Sequence, residues 1–275
     1  MPASSPVTTA VPWVNPLPTR LHHPVFGVFL LLVAADTIRR WLGLGWPGNG
    51  EDWSTAVWMV AALSLALGLA RRLAVQNVVA VTLLAATLGT GIDLLNAHTS
   101  LPFGQRTLMD RAGPQTLGVA WFQPFLWVTL AIAGRGVARL ILRPWRKLRY
   151  YGLWVIATAT ALALSMAIVL EPFAASSRWW WRLSRPGGWT WYGMPVTSAL
   201  GWILTLLIIY GFTTPWFLNK QPVKQPTDWH PLLVWAVLAL WLSVGNAQAG
   251  SWGAVLVGGV VGGVAAVLAV RGGRW

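Results

Sequence analysis

"VQNVVAVTLLAATLGTGIDLL", residues 75–95, runs for twenty-one positions with a single ionisable side chain, Asp93, close to its end. A helix needs about twenty residues to cross a bilayer, so a run of this length and character reads as a transmembrane helix. Comparable apolar runs lie on either side, at Pro24–Leu44, Ser54–Ala70, Leu117–Ala133, Leu153–Leu170, Val196–Leu218, Leu232–Val244 and Trp252–Val270. With the opening stretch they make eight expected spans. The composition agrees: 56% of the 275 residues are hydrophobic and only 10% are charged, which does not suit a soluble domain. The short alternating segments of a β-barrel wall are missing, so the expectation is an all-α, polytopic transmembrane bundle whose helices satisfy their own backbone.

The first twenty residues are rich in Pro, Ser and Thr and lack a basic start followed by an apolar core, so they read as a flexible cytoplasmic tail and not as a signal peptide. Residues 21–275 then form one integral membrane domain. Cysteine is absent, which excludes disulfides, thiolate nucleophiles and cysteine-ligated metals. A net charge of +13 reads as a cytoplasmic membrane face and calls for no nucleic-acid partner.

That face can be counted. With the N-terminus inside, the inner segments hold 13 of the 20 basic residues, including the cluster Arg135, Arg139, Arg143, Arg146, Lys147 and Arg149. The outer segments hold Arg39, Arg40, Arg106, Arg111, Arg178, Arg182 and Arg185 with six of the seven acids, Asp36, Glu51, Asp52, Asp93, Asp110 and Glu171. The positive-inside rule therefore sets both termini in the cytoplasm, in a multi-pass protein of the inner cell membrane. The basic loop at 135–149 is expected to hold anionic lipid headgroups. Residues 93–113 and 171–195 fall on one face, where a site can form between them.

Two patterns carry structure and no chemistry. "GGVVGG", residues 258–263, is a small-residue face for close helix packing. Gly43, Gly45 and Gly48 match the letters of a dinucleotide fingerprint, but no strand precedes them and Pro47 interrupts.

An ionisable group at membrane depth is costly, which makes each buried acid a functional candidate. Asp36 has Arg39 and Arg40 three and four residues on, and reads as one half of a structural ion pair. Asp93 and Glu171 have no such neighbour. Either reaches headgroup water, or serves as an acid: apolar surroundings disfavour the ionised carboxyl and keep a proton available. His98, five residues past Asp93, either shuttles protons or solvates the loop. The four histidines and the acids show no metal-binding spacing, so no metal is expected, and there is no nucleophile elbow. Residues 178–195, "RWWWRLSRPGGWTWYGMP", pack five tryptophans and a tyrosine among three arginines. An interfacial belt accounts for part of this; aromatic faces also line apolar pockets and stabilise cations, with the arginines on lipid phosphates at the rim.

"DLLNAHTSLPFGQRTLMDRAGPQTLGVAWFQPFLW", residues 93–127, and "LEPFAASSRWWWRLSRPGGWTWYGMPVTSALGW", residues 170–202, resemble the membrane carotenoid-biosynthesis proteins, a family that includes the 1,2-hydratases of acyclic carotenoid ends. The matching elements are Asp93, Leu101 to Gly104, Gly113–Pro114, Gly118–Val119, Pro124 and Trp127 in the first block. In the second they are Glu171–Pro172, Trp179 and Trp181, Tyr192, Gly193 and Pro195, and Gly201–Trp202. The chain departs from the pattern at Glu171 (usually Asp), Ala167 (an acid), Asp93 (Glu), Ser198 (Asn) and Arg106 (an aromatic).

The resemblance implies a cofactor-independent hydratase that adds water to the terminal double bond of an acyclic carotenoid end, giving a tertiary alcohol. Glu171 is the expected proton donor, Asp93 the group that orients water or shares the proton, and His98 their supporting partner; the two acids can exchange roles. Trp179, Trp181, Trp189, Trp191 and Tyr192, with Phe103, Pro195 and Trp202, are expected to contact the polyene. The expected partners are that polyene within the bilayer, membrane lipids and other enzymes of the pathway. Two other readings stay open: a proton-coupled carrier, and a different membrane enzyme acting on isoprenoid lipids.

Overall fold

The computed structural model describes residues 16–44, 53–183, 189–218 and 226–275. The tail up to residue 15, Glu51, Asp52, Arg185, Lys220, Lys224 and the Gly45–Gly48 stretch lie outside the described residues. Eight α-helices are described: α1 Pro16–Trp41, α2 Ser54–Ala70, α3 Val75–Thr99, α4 Gln123–Ile141, α5 Tyr151–Pro172, α6 Val196–Thr213, α7 His230–Gln248 and α8 Trp252–Gly273. Seven are long and apolar enough to cross a membrane; α2, at 17 residues, is shorter. The all-α bundle is thus as expected, and the chain is built as a multi-pass membrane protein.

The helix limits differ from the apolar runs in instructive ways. α1 starts at Pro16, so residues 16–20, expected in the tail, are helical, and Pro24 sits inside the helix. The fourth helix starts at Gln123 instead of Leu117, because Leu117 and Gly118 both take positive φ and Pro124 is suited to a first turn. It also runs on to Ile141, which moves Arg135 and Arg139 out of the expected basic loop and onto the helix. Arg135 is buried, donates to Thr214 and lies over the Phe217 ring, so it is no headgroup anchor.

α4 is the axial helix. It packs against α2, α3, α5, α7 and α8, and its most apolar window is 72% buried, against 22% for α8 at the edge. α4 is the least apolar of the seven long helices and carries the buried Gln123, Thr129 and Arg135, side chains that belong inside the bundle and away from lipid. On α8, Gly258 faces Ser243 and Val169, and Gly262 faces Trp235, whereas Gly259 and Gly263 have open space around them.

Short ribbons close the end of the bundle that carries the α3 C-terminus and the α4 N-terminus. β1 (Arg106–Leu108) pairs antiparallel with β4 (Trp181–Leu183), β2 (Gln115–Thr116) with β3 (Val119–Ala120), and β5 (Thr190–Trp191) with β6 (Met194–Pro195). The first of these joins the loop after α3 to the loop after α5, with Leu108 opposite Trp181. The two segments expected to share a face are thus in direct contact. α5 reaches this end through a π-helical turn, Phe173–Ser177, where Arg178 N–H donates to Phe173 O and Trp180 N–H to Ala174 O.

Candidate active site

Asp93 and Asn96 lie three residues apart on the last turns of α3 and share one buried face. Asn96 fixes the following turn with both ends of its amide: Oδ1 accepts Phe103 N–H at 2.8 Å, and Nδ2 donates to Gly104 O at 3.1 Å. That turn drives Phe103 into the bundle, fully buried, 5.4 Å from the Trp202 ring and 6.1 Å from the Trp127 ring. Glycine makes both approaches feasible. A Cβ at Gly201 would meet Pro102 O at 2.9 Å, and one at Gly89 would stand 2.2 Å from Trp127.

Each acid is met by indole. Trp127 Nε1 donates to Asp93 Oδ2 at 2.6 Å. Glu171, on the last turn of α5, accepts Trp202 Nε1 at Oε1 (2.9 Å) and Trp181 Nε1 at Oε2 (3.1 Å). The Trp127 and Trp202 rings are 4.7 Å apart, so the two carboxyl groups are connected through a pair of touching indoles. Buried polar groups require such partners, and tryptophan supplies a donor on an apolar body.

Arg106 completes the group. From β1 it forms an ion pair with Glu171 and donates to Ser198 Oγ at 2.9 Å. Its guanidinium lies over Phe103 (4.6 Å), Trp181 (5.1 Å) and Trp202 (5.9 Å). Its Nε is buried with no hydrogen-bond partner among the described residues. Beside it is a cavity of about 20 Å³ lined by Asp93, Asn96, Arg106, Gln123 and Trp181, with Ala97, Leu108 and Gly118 around them.

The expected site residues therefore divide. Asp93, Glu171, Phe103, Trp181 and Trp202 come together. His98 is exposed on α3: five residues past Asp93 is well round the helix from its buried face, and Asn96 holds the position beside the acid. Trp179 and Trp189 are exposed, Trp191 bonds Ile168 O and Tyr192 OH accepts Gly253 N–H, so Trp191 and Tyr192 sit toward α8 and none of the four bonds either acid, while Pro195 lies against Gly104 in the turn that Asn96 holds. Trp127, Asn96 and Gln123 were not singled out as site residues. For Asn96 and Trp127 the readable signals were the i, i+3 spacing and a lone indole at the start of a span.

A second buried ion pair stands apart from this site. Asp36 reaches Arg39 at 3.5 Å, but it also pairs with Arg178 and accepts Trp241 Nε1 at 2.8 Å, while Arg40 bonds Ser177. The expected helical pair is thus only part of its environment, and Arg178, expected at the lipid rim, is buried with it.

A sequence model of carotenoid biosynthesis proteins matches residues 53–265, which includes every residue of the Asp93–Glu171 group. The chain belongs to the carotenoid biosynthesis protein family. No curated protein and no solved structure matches it. Family membership gives the chain a role in carotenoid biosynthesis and points to an enzyme of that pathway. The apolar helices suit a hydrophobic substrate that stays in the membrane. α1, with Asp36, lies outside the matched region of this carotenoid biosynthesis protein.

Proposed function

We propose that this carotenoid biosynthesis protein is a hydratase that adds water across the terminal 1,2 double bond of an acyclic carotenoid end, without a cofactor. The observation that carries the reading is the small cavity at Asp93. Its volume of about 20 Å³ suits one water molecule, and Asp93, Asn96, Gln123 and Arg106, whose Nε has no partner among the described residues, supply the two to four polar partners a buried water needs.

In this reading the roles of the acids are exchanged relative to the first expectation. Glu171 accepts three N–H donors and its charge is balanced by Arg106, which suits a fixed element of the framework. Asp93 accepts one indole N–H and lines the cavity, which suits the group that moves a proton. Asp93 protonates the less substituted carbon and leaves a tertiary cation. The carboxylate that remains faces that cation and stabilises it. Water held by Asn96, Gln123 and Arg106 forms the C–O bond, and its surplus proton returns to Asp93. No electrons are exchanged. The rings under Arg106 are covered by the guanidinium, so cation stabilisation falls to the carboxylate more than to Trp181 or Trp202.

The reading keeps both termini on the cytoplasmic side of the inner membrane, on the strength of the basic residues counted above. Co-expression with an acyclic carotene such as lycopene, in water enriched in heavy oxygen, tests it. The pigment should gain one labelled water per reacted end. An unmodified pigment at full expression, or oxygen drawn from another source, overturns the proposal.

A further inference from the structure

We infer that the polyene end reaches Asp93 through the seam between Ala97 on α3 and Gly118 at the tip of the β2–β3 hairpin, and that this tip swings out to admit it. The inference rests on the hydratase reading for the identity of the substrate. The route itself follows from the geometry of the cavity.

The interior of that cavity is buried: Asp93, Asn96, Gln123 and Trp181 are each less than one tenth exposed. Among its lining residues, Ala97 and Gly118 are the exposed ones and mark its mouth. The mouth is narrow: the hairpin tip and α3 come so close that a methyl group placed on Gly118 would lie 3.1 Å from Ala97 Cβ. A branched isoprenoid end is several times the size of the water that the cavity holds, so something at the rim moves before substrate meets the acid.

The walls are not equally able to move. Arg106, Leu108 and Trp181 belong to the β1–β4 ribbon, which is tied to Glu171 by Arg106 and by the Trp181 indole. Asn96 is tied into the 103–104 turn on both sides of its amide. The hairpin is fastened at its root, by the pairs Gln115 with Ala120 and Thr116 with Val119, by Gln115 Nε2 on Met109 O, and by Trp121 donating to Pro114 O and Thr116 Oγ1, whereas its tip residues Leu117 and Gly118 both have positive φ, which costs a leucine conformational energy. Leu117 is 71% exposed, and Trp121 at the hairpin's root is exposed too, so the outer surface of this flap is apolar and suits lipid or an arriving polyene. Its root stays anchored by Ala120 N–H on Gln123 Oε1 at 2.6 Å, which makes Gln123 the residue that senses the flap from inside the cavity.

The chain has no cysteine, so a disulfide between the double substitutions Ala97→Cys and Gly118→Cys can be placed without interference. The two Cβ positions are 3.1 Å apart, slightly inside the roughly 3.5–4.5 Å of an ordinary bridge, so a small outward shift of the exposed hairpin tip lets the bond form. The readout is modification of Asp93 by dicyclohexylcarbodiimide, a bulky apolar carboxyl reagent, followed by mass spectrometry of the digested protein in membranes. This measures access and needs no hydration. Oxidation should slow the labelling of Asp93 by more than about tenfold, and reduction of the same sample should restore it, as expected of a gated site. Ala97→Trp, which fills the mouth from an exposed helix position and leaves the hairpin's own residues unchanged, should slow labelling as well. Equal labelling of oxidised and reduced protein overturns the seam as the route, and so does an Asp93 that stays unlabelled in the reduced protein. A wild type that labels but does not hydrate lycopene removes the hydratase reading and leaves the gate standing.

Discussion

Arg106 and Glu171 are 65 residues apart in sequence and form a buried ion pair that ties the β1–β4 ribbon to the end of α5. Removing either partner leaves an uncompensated charge, and such losses cost about 3–5 kcal/mol. Arg106→Met and Glu171→Leu should each lower the melting temperature in detergent markedly. The double variant should recover much of that loss. A double variant as unstable as the sum of the single ones contradicts a direct pair.

Asp93→Asn keeps an oxygen for the Trp127 N–H and so preserves the packing while removing the transferable proton. Hydration of lycopene should fall by roughly 10²–10⁴-fold, the range of a lost general acid, with unchanged expression and melting. Glu171→Gln should lose less activity and more stability. Pigment mass analysis beside a thermal shift assay separates the two.

Two glycines on α3 make a matched test of the site's packing. A Cβ at Gly89 would stand 2.2 Å from the Trp127 ring, so Gly89→Ala should push Trp127 off Asp93 and cost about 1–3 kcal/mol with loss of hydration. At Gly91 an added Cβ would meet nothing within 4 Å among the described residues, and Gly91→Ala should be neutral or slightly stabilising, because alanine is the better helix former.

At the second acid, partner identity decides the cost. Asp36 is buried with Arg178 and Trp241, whereas Arg39 is a partly exposed neighbour at 3.5 Å. Arg178→Met should destabilise the bundle by several kcal/mol, and Arg39→Ala by less than about 1 kcal/mol. Thermal unfolding of both variants measures the difference.

The aromatic cluster shows how a sequence pattern divides on folding. Trp181 and Trp189 belong to the same dense stretch, yet one bonds Glu171 and the other is 72% exposed. Strand alternation and the pairing of Leu108 with Trp181 turn one indole inward; composition carries no such direction. Trp181→Phe should therefore lower activity and stability, and Trp189→Phe should leave both nearly unchanged.

The eight helices, the helical class and the gathering of acids at one end were legible in the chain itself, although one of the eight, α2, is shorter than the other seven. Apolarity over about twenty residues is a local property, and the two motif blocks carried the family resemblance. Partner choice was not. Asp36 could be matched to Arg39 and Arg40 by helical spacing, but Arg178 comes from 142 residues away. Likewise His98 looked close to Asp93 along the chain, while the helix turns it to the surface and presents Asn96 instead.

The sequence by itself determined a polytopic helical bundle with Asp93 and Glu171 toward one end, because hydrophobic length and spacing act within each segment. Only the tertiary structure decided that Arg106 would neutralise Glu171, that Trp127 would hold Asp93 beside a water-sized cavity, and that Gly118 would stand at its mouth. Those relationships depend on side chains from separate helices and loops meeting at the ångström scale, which no single segment specifies.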